Sequence, residues 1–341
     1  MNPTVDIEDS QQLLSYLRVS KRIGPNEQPR LRPLSGGVSN KTIWLGRENG
    51  EQWVLKQALP KLRVKADWYS DPSRIRIEAN ALRYLPALTP RNNVPALLFE
   101  HPEQSLLAME AVPEPNKNWK EELLQGTISE ESVKAFGQLL GHFHRESYRR
   151  KAELEIEFEN RDFFQTLRLE PYYEYCGIRI PEASRFLRDL MTETLSRRDS
   201  LVHGDYSPKN ILVHRGKLIL LDHEVLHFGD PAFDWGFSLT HLLSKAHHLP
   251  RYRETMVQAA RLYSATYLKE IDELPWRRTA EINAVKHTVA CLLARTSGRS
   301  PLEYLTIEEK EKQKAVALSL MAATPSSIEV LIKNFEVRIN Q

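Results

Sequence analysis

The segment that most constrains this chain covers positions 201–224 and reads LVHGDYSPKNILVHRGKLILLDHE. It contains two apolar runs of strand length, 210–213 and 217–221. The short linker between them ends at Gly216, and glycine tolerates the positive φ that a tight turn requires. The pattern therefore predicts a β-hairpin that brings the first residue of the first run close to Asp222, which follows the second run.

Polar side chains gather at the open end of this hairpin. Asp205 lies on the preceding loop, after His203, while Asn210 and Asp222 flank the two strands. Transfer of the γ-phosphoryl group of ATP needs one carboxylate to orient and deprotonate the accepting hydroxyl, and an amide and a second carboxylate to hold magnesium. The spacing predicts a kinase-like enzyme with Asp205 as the catalytic carboxylate and Asn210 and Asp222 as Mg²⁺ ligands. His203 would shape the catalytic loop by hydrogen bonding.

The composition is that of an ordinary globular protein. Of the 341 residues 41% are hydrophobic and 27% are charged, and the net charge of +2 favours neither a nucleic acid nor a membrane as a partner. The opening MNPTVDIEDS does not resemble a signal peptide, and no apolar run approaches the roughly 20 residues of a membrane span. Cys176 and Cys291 make neither a disulfide framework nor a metal cluster. We expect a cytoplasmic protein with a small-molecule substrate, and the oligomeric state stays open.

Strand patterns dominate before about residue 112 and helix patterns dominate after it. The pattern predicts an α+β, bilobal, protein-kinase-like arrangement: a small antiparallel-sheet N-lobe that binds nucleotide over 1–112, and a larger, mostly helical C-lobe with the catalytic loop and the substrate site over 113–341. Strands are predicted over 34–45 (two, around a glycine turn), 52–57, 96–100 and 105–111. Helices are predicted over 6–17, 74–85, 183–195, 231–244, 251–269, 277–296, 307–322 and 326–337. Thr127 and Glu130 have the spacing of a capping box for a further helix that ends near residue 148.

Three motifs of the second half resemble the aminoglycoside phosphotransferase and choline kinase superfamily, whose fold is kinase-like. HGDYSPKN resembles the catalytic loop of that superfamily, and LLDHE resembles its metal-binding segment. DPAFDWG resembles the segment that follows, in which Asp234 would brace the loop. The resemblance adds Glu224 to the metal ligands and implies ATP and Mg²⁺ as cofactors.

Motifs of the first half resemble the nucleotide-binding parts of the same superfamily, in the same order. SGGVSN resembles the phosphate-covering loop, WVLKQ places Lys56 as the phosphate-pairing lysine, and RIEANAL places Glu78 as its partner on a helix. A surface lysine is the alternative interpretation of Lys56. The cofactor-binding residues that the resemblance implies are Gly36, Gly37, Ser39, Asn40, Lys56, Glu78, Met109, Glu110 and Val112.

The run KQALPKLRVKADW and the Asp-x-Glu of Asp222 and Glu224 are similar to methylthioribose kinases, and choline kinases share the Asp-x-Glu. Methylthioribose kinases tend not to keep an asparagine at the position of Asn210, which counts against methylthioribose itself as the acceptor. The loop SGGVSN lacks the G-x-G-x-x-G of protein kinases, which counts against a protein substrate.

Substrate contacts are predicted, besides Asp205, at Trp68 in the loop 65–74 and at Arg295 and Arg299 in ARTSGRSPLEYL. Arginines suit a phosphate or carboxylate on the substrate, or the transferring phosphoryl group. The alternatives are that Trp68 packs between the lobes and that the arginines form a solvated helix end.

The sequence therefore predicts an ATP- and Mg²⁺-dependent phosphotransferase acting on a hydroxyl of a sugar-like or amino-alcohol metabolite. One alternative is a catalytically weak ATP-binding regulatory protein of the same fold, and another is transfer of the nucleotide rather than the γ-phosphate. A third is an aminoglycoside phosphotransferase. The polycationic substrate of such an enzyme would need an acidic pocket, whereas acids and bases are roughly balanced from residue 227 onward.

Overall fold

The computed structural model describes residues 5–34, 37–64 and 67–341. It has an N-terminal lobe built on one antiparallel sheet and a larger lobe that is mostly helical, so the predicted bilobal α+β fold is confirmed. The sheet has the strand order β1-β2-β3-β5-β4. Its strands are β1 (Arg30–Pro33), β2 (Asn40–Gly46), β3 (Gln52–Ala58), β4 (Leu97–His101) and β5 (Leu106–Glu110).

Each face of this sheet carries its own small hydrophobic core. One face packs on helix α1 (Ser10–Val19) and the other on helix α2 (Arg74–Tyr84). Side chains alternate between the faces along a strand, so Leu55 of β3 points toward α1 while Val54 and Ala58 point toward α2. Lys56 shares the parity of Val54 and therefore faces α2, where its partner lies.

The second lobe contains two smaller sheets and most of the helices. A three-stranded sheet joins β6 (Lys117–Asn118), β8 (Ile211–His214) and β9 (Lys217–Leu220), and a two-stranded sheet joins β7 (Ser200–Val202) to β10 (His227–Gly229). The helices are α3 (Trp119–Leu124), α4 (Glu130–Arg149), α5 (Lys151–Glu157), α6 (Asp162–Phe164), a π-helical segment (Gln165–Glu174), α7 (Tyr175–Arg179), α8 (Pro181–Ser196), α9 (Ala232–His248), α10 (Arg253–Glu270), α11 (Arg277–Ser297), α12 (Ile307–Ala322) and α13 (Ile328–Asn340).

Helix α9 is the centre of the second lobe. Every residue from Ala232 to His247 is buried, because α9 packs between α10 and α11. A helix that is covered all round belongs to the core of a large domain. Its first turn lies under the catalytic loop, so polar side chains on that part of the helix can be held rigidly for the site. No helix in the described ranges is long and apolar enough to cross a membrane.

The predicted hairpin is confirmed. β8 and β9 pair antiparallel with His214 opposite Lys217, so the turn consists of Arg215 and Gly216. Both turn residues have positive φ, 49° and 77°, as in the two-residue turns that match the twist of a hairpin. The sequence predicted a positive φ at Gly216 but not at Arg215.

Several predicted boundaries were wrong. Ser129, not Thr127, caps α4, because its side chain accepts the hydrogen bond of the Ser132 N–H. The first strand lies at Arg30–Pro33, ahead of the predicted range, since it pairs in full with β2. Helix α12 has the predicted bounds, and a capping box between Thr306 and Glu309 fixes its start. The division of the lobes after residue 112 stays a prediction.

Candidate active site

The loop that carries Asp205 is fixed by a carboxylate beneath it. Asp234, in the first turn of α9, accepts hydrogen bonds from the backbone N–H groups of His203 at 2.6 Å and Gly204 at 2.8 Å. Gly204 has φ +74°, and a Cβ there would lie 2.8 Å from Val225 Cγ2. Glycine is thus required by both conformation and space. The bracing position predicted for Asp234 is the one that the structure shows.

Two side chains hold the carboxylate of Asp205. Asn210 Nδ2 donates to Oδ2 at 2.8 Å, and Arg168 Nη2 lies 3.1 Å from the same oxygen. Arg168 also donates through Nε to the carbonyl of Gly204 at 2.7 Å. Burial acts to lower the pKa of Arg168, but the charge of Asp205 outweighs it, and the pKa lies above its usual value. The guanidinium therefore stays charged and holds the orientation of the Asp205 carboxylate.

Lys56 joins the sheet to the metal-binding segment. Its Nζ donates to Glu78 Oε1 at 2.6 Å and to Asp222 Oδ1 at 2.8 Å. Burial acts to lower the pKa of Lys56, but the two carboxylates outweigh it and raise the pKa. Burial acts to raise the pKa of Asp222, yet attraction to Lys56 holds it below the usual value, whereas burial raises the pKa of fully buried Glu78 to about 7. The lysine is not a surface residue, because its side chain is 10% exposed.

Of the three predicted metal ligands, the structure brings two together. The N–H of Leu221 donates to the carbonyl of Asn210 at 2.9 Å, so the hairpin holds Asn210 beside Asp222. Glu224 is engaged elsewhere: its Oε2 lies 3.0 Å from Arg74 Nε and 3.1 Å from Asn40 Nδ2. Within the described residues no group of three His, Cys, Asp or Glu has a metal-binding arrangement.

The oxygen atoms at this end of the hairpin are suitable ligands for a hard divalent cation. Lys56 donates a hydrogen bond to Oδ1 of Asp222, and the Asn210 amide donates one to Oδ2 of Asp205. Each carboxylate keeps its second oxygen without a protein hydrogen bond within the described ranges. The free oxygen of Asp222 and the amide oxygen of Asn210 are of the kind that Mg²⁺ prefers as ligands.

The phosphate-covering loop is described only in part. Gly36 lies outside the described residues, Gly37 is exposed, and Ser39 and Asn40 are buried. The fully buried Arg74 donates to the carbonyl of Ser39 and so ties the end of this loop to the start of α2.

His203 is buried in a short chain of hydrogen bonds. Its Nδ1 lies 3.2 Å from the N–H of Asp205 and accepts from it, so its Nε2 carries the hydrogen and donates to His223 Nδ1 at 3.1 Å. Burial lowers the pKa of both histidines. These hydrogen bonds tie the Asp205 backbone to His223 through His203.

The segment predicted to contact adenine begins in β5, which is the last strand of the N-terminal sheet along the chain. Met109 is buried in β5, and the N–H of Glu110 donates to the carbonyl of Ala96 at 2.9 Å. The carbonyl of Val112 accepts from Asn116 Nδ2 at 3.0 Å. An open cleft of about 510 Å³ follows directly, lined by Glu114, Pro115 and Asn116. Adenine binding at Met109, Glu110 and Val112 stays a prediction.

The predicted substrate residues occupy two different surroundings. Trp68 packs in an apolar cluster with Leu62, Leu167 and Val225, which fits packing between the lobes. It also borders a cleft of about 280 Å³ that it shares with Arg299. Arg295 is 8% exposed rather than solvated.

Sequence comparison agrees with this geometry. The phosphotransferase enzyme family profile (APH) matches residues 30–274, which is more than half of the chain. The chain belongs to this family. Asp205, Asp222 and Lys56 all lie inside the matched range.

Relatives of this phosphotransferase family member include methylthioribose kinases. The methylthioribose kinase of Pectobacterium carotovorum is 27% identical over 262 residues, which cover 68% of this chain and 65% of that protein. The methylthioribose kinase of Yersinia pseudotuberculosis serotype O:3 is 27% identical over 225 residues, 58% of this chain and 54% of that protein. The chain thus spans less than two thirds of the length of these relatives.

Solved structures share the fold. An amicoumacin kinase in complex with AMP-PNP and Ca²⁺ has a TM-score of 0.57 at 16% identity, covering 87% of this chain and 89% of that one. A choline kinase from Cryptosporidium parvum also has a TM-score of 0.57, at 12% identity, covering 91% of this chain and 95% of that one.

Sequence reasoning missed two arginines of this phosphotransferase site. Arg168 contacts Asp205 from the π-helical segment, and Arg74 contacts Glu224 from the start of α2. Both pairs join residues that are far apart in the chain. A basic residue in the stretch 161–179 was the available signal for Arg168, but several are present there and none is marked by its spacing.

Proposed function

We propose that this protein is a kinase that transfers the γ-phosphoryl group of ATP to a hydroxyl of a small, sugar-like or amino-alcohol molecule. The observation that carries the proposal is the pairing of Lys56 with both Glu78 and Asp222, at 2.6 and 2.8 Å, next to a braced Asp205. A lysine held by two carboxylates can pair with the phosphates, while a fixed carboxylate can accept the proton of the attacking hydroxyl.

Asn210 and Asp222 are the residues that would hold Mg²⁺, and the ion, when bound, neutralises charge on the phosphates. Asp205 has its Oδ2 occupied by Asn210 and Arg168, so Oδ1 is the oxygen that would meet the acceptor hydroxyl. Glu224 is proposed as a metal ligand only if it leaves Arg74, since the two form an ion pair in this structure.

The acceptor class is tested by ADP release from Mg·ATP with sugars, thiosugars, amino alcohols, nucleosides and aminoglycosides. The proposal predicts that at least one compound raises ADP release and gains a phosphate by mass spectrometry. A product carrying AMP would contradict it in favour of nucleotide transfer. Thermal stabilisation by ATP with no phosphorylated product from any compound would favour the regulatory alternative.

A further inference from the structure

Three basic side chains are buried together beside α9: His241, Lys245 and Arg295. Lys245 is completely buried, and His241 and Arg295 are 6% and 8% exposed. Lys245 Nζ lies 3.3 Å from the carbonyl of His241, and Arg295 Nη2 lies 3.4 Å from His241 Nε2. Arg295 Nη1 donates to Ser300. Across the described ranges, neither Lys245 nor Arg295 has a carboxylate partner, although buried basic groups are usually paired with acids.

The cluster lies on the face of α9 that supports the catalytic loop. Asp234, Ser238, His241 and Lys245 follow one another at helical spacing, so they share that face. Asp234 accepts from the loop backbone, and Ser238 Oγ donates to the carbonyl of Tyr206 at 2.7 Å. Lys245 is seven residues beyond Ser238, or about 10 Å along the helix. The cluster therefore begins within one turn of the loop that carries the catalytic carboxylate.

Arg295 is connected to the same loop from the other side. Its guanidinium lies 4.9 and 5.0 Å from the ring centroids of Tyr172 and Phe237, which stack on each other. Tyr172 follows Arg168 by four residues in the π-helical segment, and Arg168 is the partner of Asp205. The cluster and the catalytic carboxylate are thus held by the same segment.

Two buried polar atoms at this cluster lack partners. Within the part of the chain that the structure describes, neither Arg295 Nε nor the Tyr304 hydroxyl has a hydrogen bond. Lys245 Nζ lies 5.3 Å from the Tyr304 ring. A buried donor left without a partner costs about 1–3 kcal/mol. The Nε–H of arginine can only donate, so what it lacks is an acceptor.

The surrounding charges are also mostly positive. Lys120 of α3 pairs with Glu303, and Lys209 lies on the loop that follows Asp205. Burial, with repulsion from these lysines and from Arg295, lowers the pKa of His241. Burial and repulsion from Lys120 lower the pKa of Lys245 to about 7. A bound anion would stabilise the charged form of Lys245.

We propose that this cluster is the subsite for an anionic group, a carboxylate or a phosphate, carried by the acceptor molecule. The inference rests on the proposed kinase function, because it assigns one end of the acceptor of that reaction. The anion accepts hydrogen bonds from Arg295 Nε and the Tyr304 hydroxyl and lies against Lys245. Glu303, paired with Lys120, stands at the edge of the subsite and repels such a ligand.

A cleft of opposite character makes the proposal testable. The cleft beside Trp68 carries Asp67, Glu170 and Glu174 on its wall, together with Arg299. If the acceptor binds in this cleft, the carboxylates favour a molecule with a positively charged amine. The two sites therefore predict opposite charge preferences for the same sugar skeleton.

The test uses calorimetric titration of the Asp205→Asn variant, which is expected to bind without turnover, with glucose, glucuronate, glucose 6-phosphate and glucosamine. The proposal predicts that glucuronate or glucose 6-phosphate binds about tenfold or more tightly than glucose, as expected for a charged hydrogen bond. The relative affinity of these two ligands distinguishes a carboxylate from a phosphate. Adding Lys245→Met should remove the preference, whereas adding Glu303→Gln on the exposed segment should increase it severalfold.

Equal binding of all four sugars, no binding of either anion, or tighter binding of glucosamine would overturn the proposal. Glu303→Gln keeps the test decisive if Lys245→Met fails to fold, as judged by its melting temperature. Acceptor-dependent ADP release by the wild type is measured separately. If the anions bind but no compound raises ADP release, the kinase function is contradicted and the anion-binding subsite is still supported. If a compound raises ADP release but binding shows no charge preference, only the subsite is contradicted.

Discussion

Arg168 Nη2 lies 3.1 Å from Oδ2 of Asp205, the oxygen that also accepts from Asn210. Arg168 is 8% exposed, so this charged contact is shielded from water and salt. Because both partners use the same oxygen, rotation of the carboxylate is restricted and Oδ1 keeps one direction. The arginine is a positioning residue for the proposed reaction.

Replacing Arg168 with methionine should lower kcat by roughly 10–100-fold, about 1.4–2.7 kcal/mol, because Asp205 loses its orientation. The KM for ATP should change little, since Arg168 does not contact the proposed nucleotide residues. Steady-state kinetics measure both constants. Arg168→Lys, which keeps the charge, should recover part of kcat. An unchanged kcat in Arg168→Met would show that the contact does not position the base.

Replacing Glu78 with glutamine should weaken the use of ATP, because Lys56 would lose one of its two carboxylates and turn toward Asp222. We expect kcat/KM for ATP to fall by about 10-fold or more. Calorimetric binding of Mg·ATP should weaken in parallel. Glu159→Gln, an exposed site in the second lobe, is the matched control and should behave as the wild type. If Glu78→Gln and Glu159→Gln bind ATP with equal affinity, Glu78 does not support ATP binding through Lys56.

Gly204→Ala and Gly216→Ala separate backbone strain from crowding. Both glycines have φ near +75°, so each substitution should cost about 1–2 kcal/mol of stability in the left-handed conformation. A Cβ at Gly204 lies 2.8 Å from Val225, whereas at Gly216 nothing lies within 4 Å. Chemical denaturation should show a larger loss of unfolding free energy, by roughly 1–3 kcal/mol, for Gly204→Ala, and only that variant should lose activity. Equal destabilisation of the two variants would mean that the loop at Gly204 shifts away from Val225 without cost.

The pair of Glu27 and Arg47 gives a pH-dependent stability. Arg47 donates two hydrogen bonds of 2.9 Å to the carboxylate and holds the pKa of Glu27 down at about 2, against 4.5 for an ordinary glutamate. A lowered folded-state pKa stabilises the fold above the unfolded-state value, and the effect is lost as the pH falls from about 4.5 toward 2. Wild type should therefore exceed Glu27→Gln by about 1–2 kcal/mol at pH 7, and by less near pH 3. A gap in unfolding free energy that is independent of pH would contradict this.

The sequence was most informative where the partners are close in the chain. The hairpin of β8 and β9 follows from two apolar runs and one turn, so the approach of Asn210 to Asp222 could be predicted locally. The role of Lys56 came from the family resemblance alone, since a lysine in a strand would otherwise be expected to face solvent. Arg168 could not be predicted, since its partner is 37 positions away and Pro171 breaks the regular helical pattern of its segment.

Glu224 shows why the metal site was only partly predictable. The resemblance to methylthioribose and choline kinases implied that the Asp-x-Glu of Asp222 and Glu224 supplies two ligands for one metal site. Asp222 instead has φ +68°, which turns the chain and directs Glu224 to Arg74. That turn depends on contacts across 150 positions of sequence, which a local pattern does not contain.

The most direct test of the account compares Asp205→Asn with Asp189→Asn, an exposed acid-to-amide change on α8. Acceptor-dependent ADP release and calorimetric binding of Mg·ATP are measured for both. We expect Asp205→Asn to lower acceptor-dependent ADP release by about 10³-fold or more, while its ATP affinity stays close to that of the wild type. Asp189→Asn should match the wild type in both measurements. Full turnover by Asp205→Asn would contradict the account, because the braced carboxylate would then have no part in the transfer.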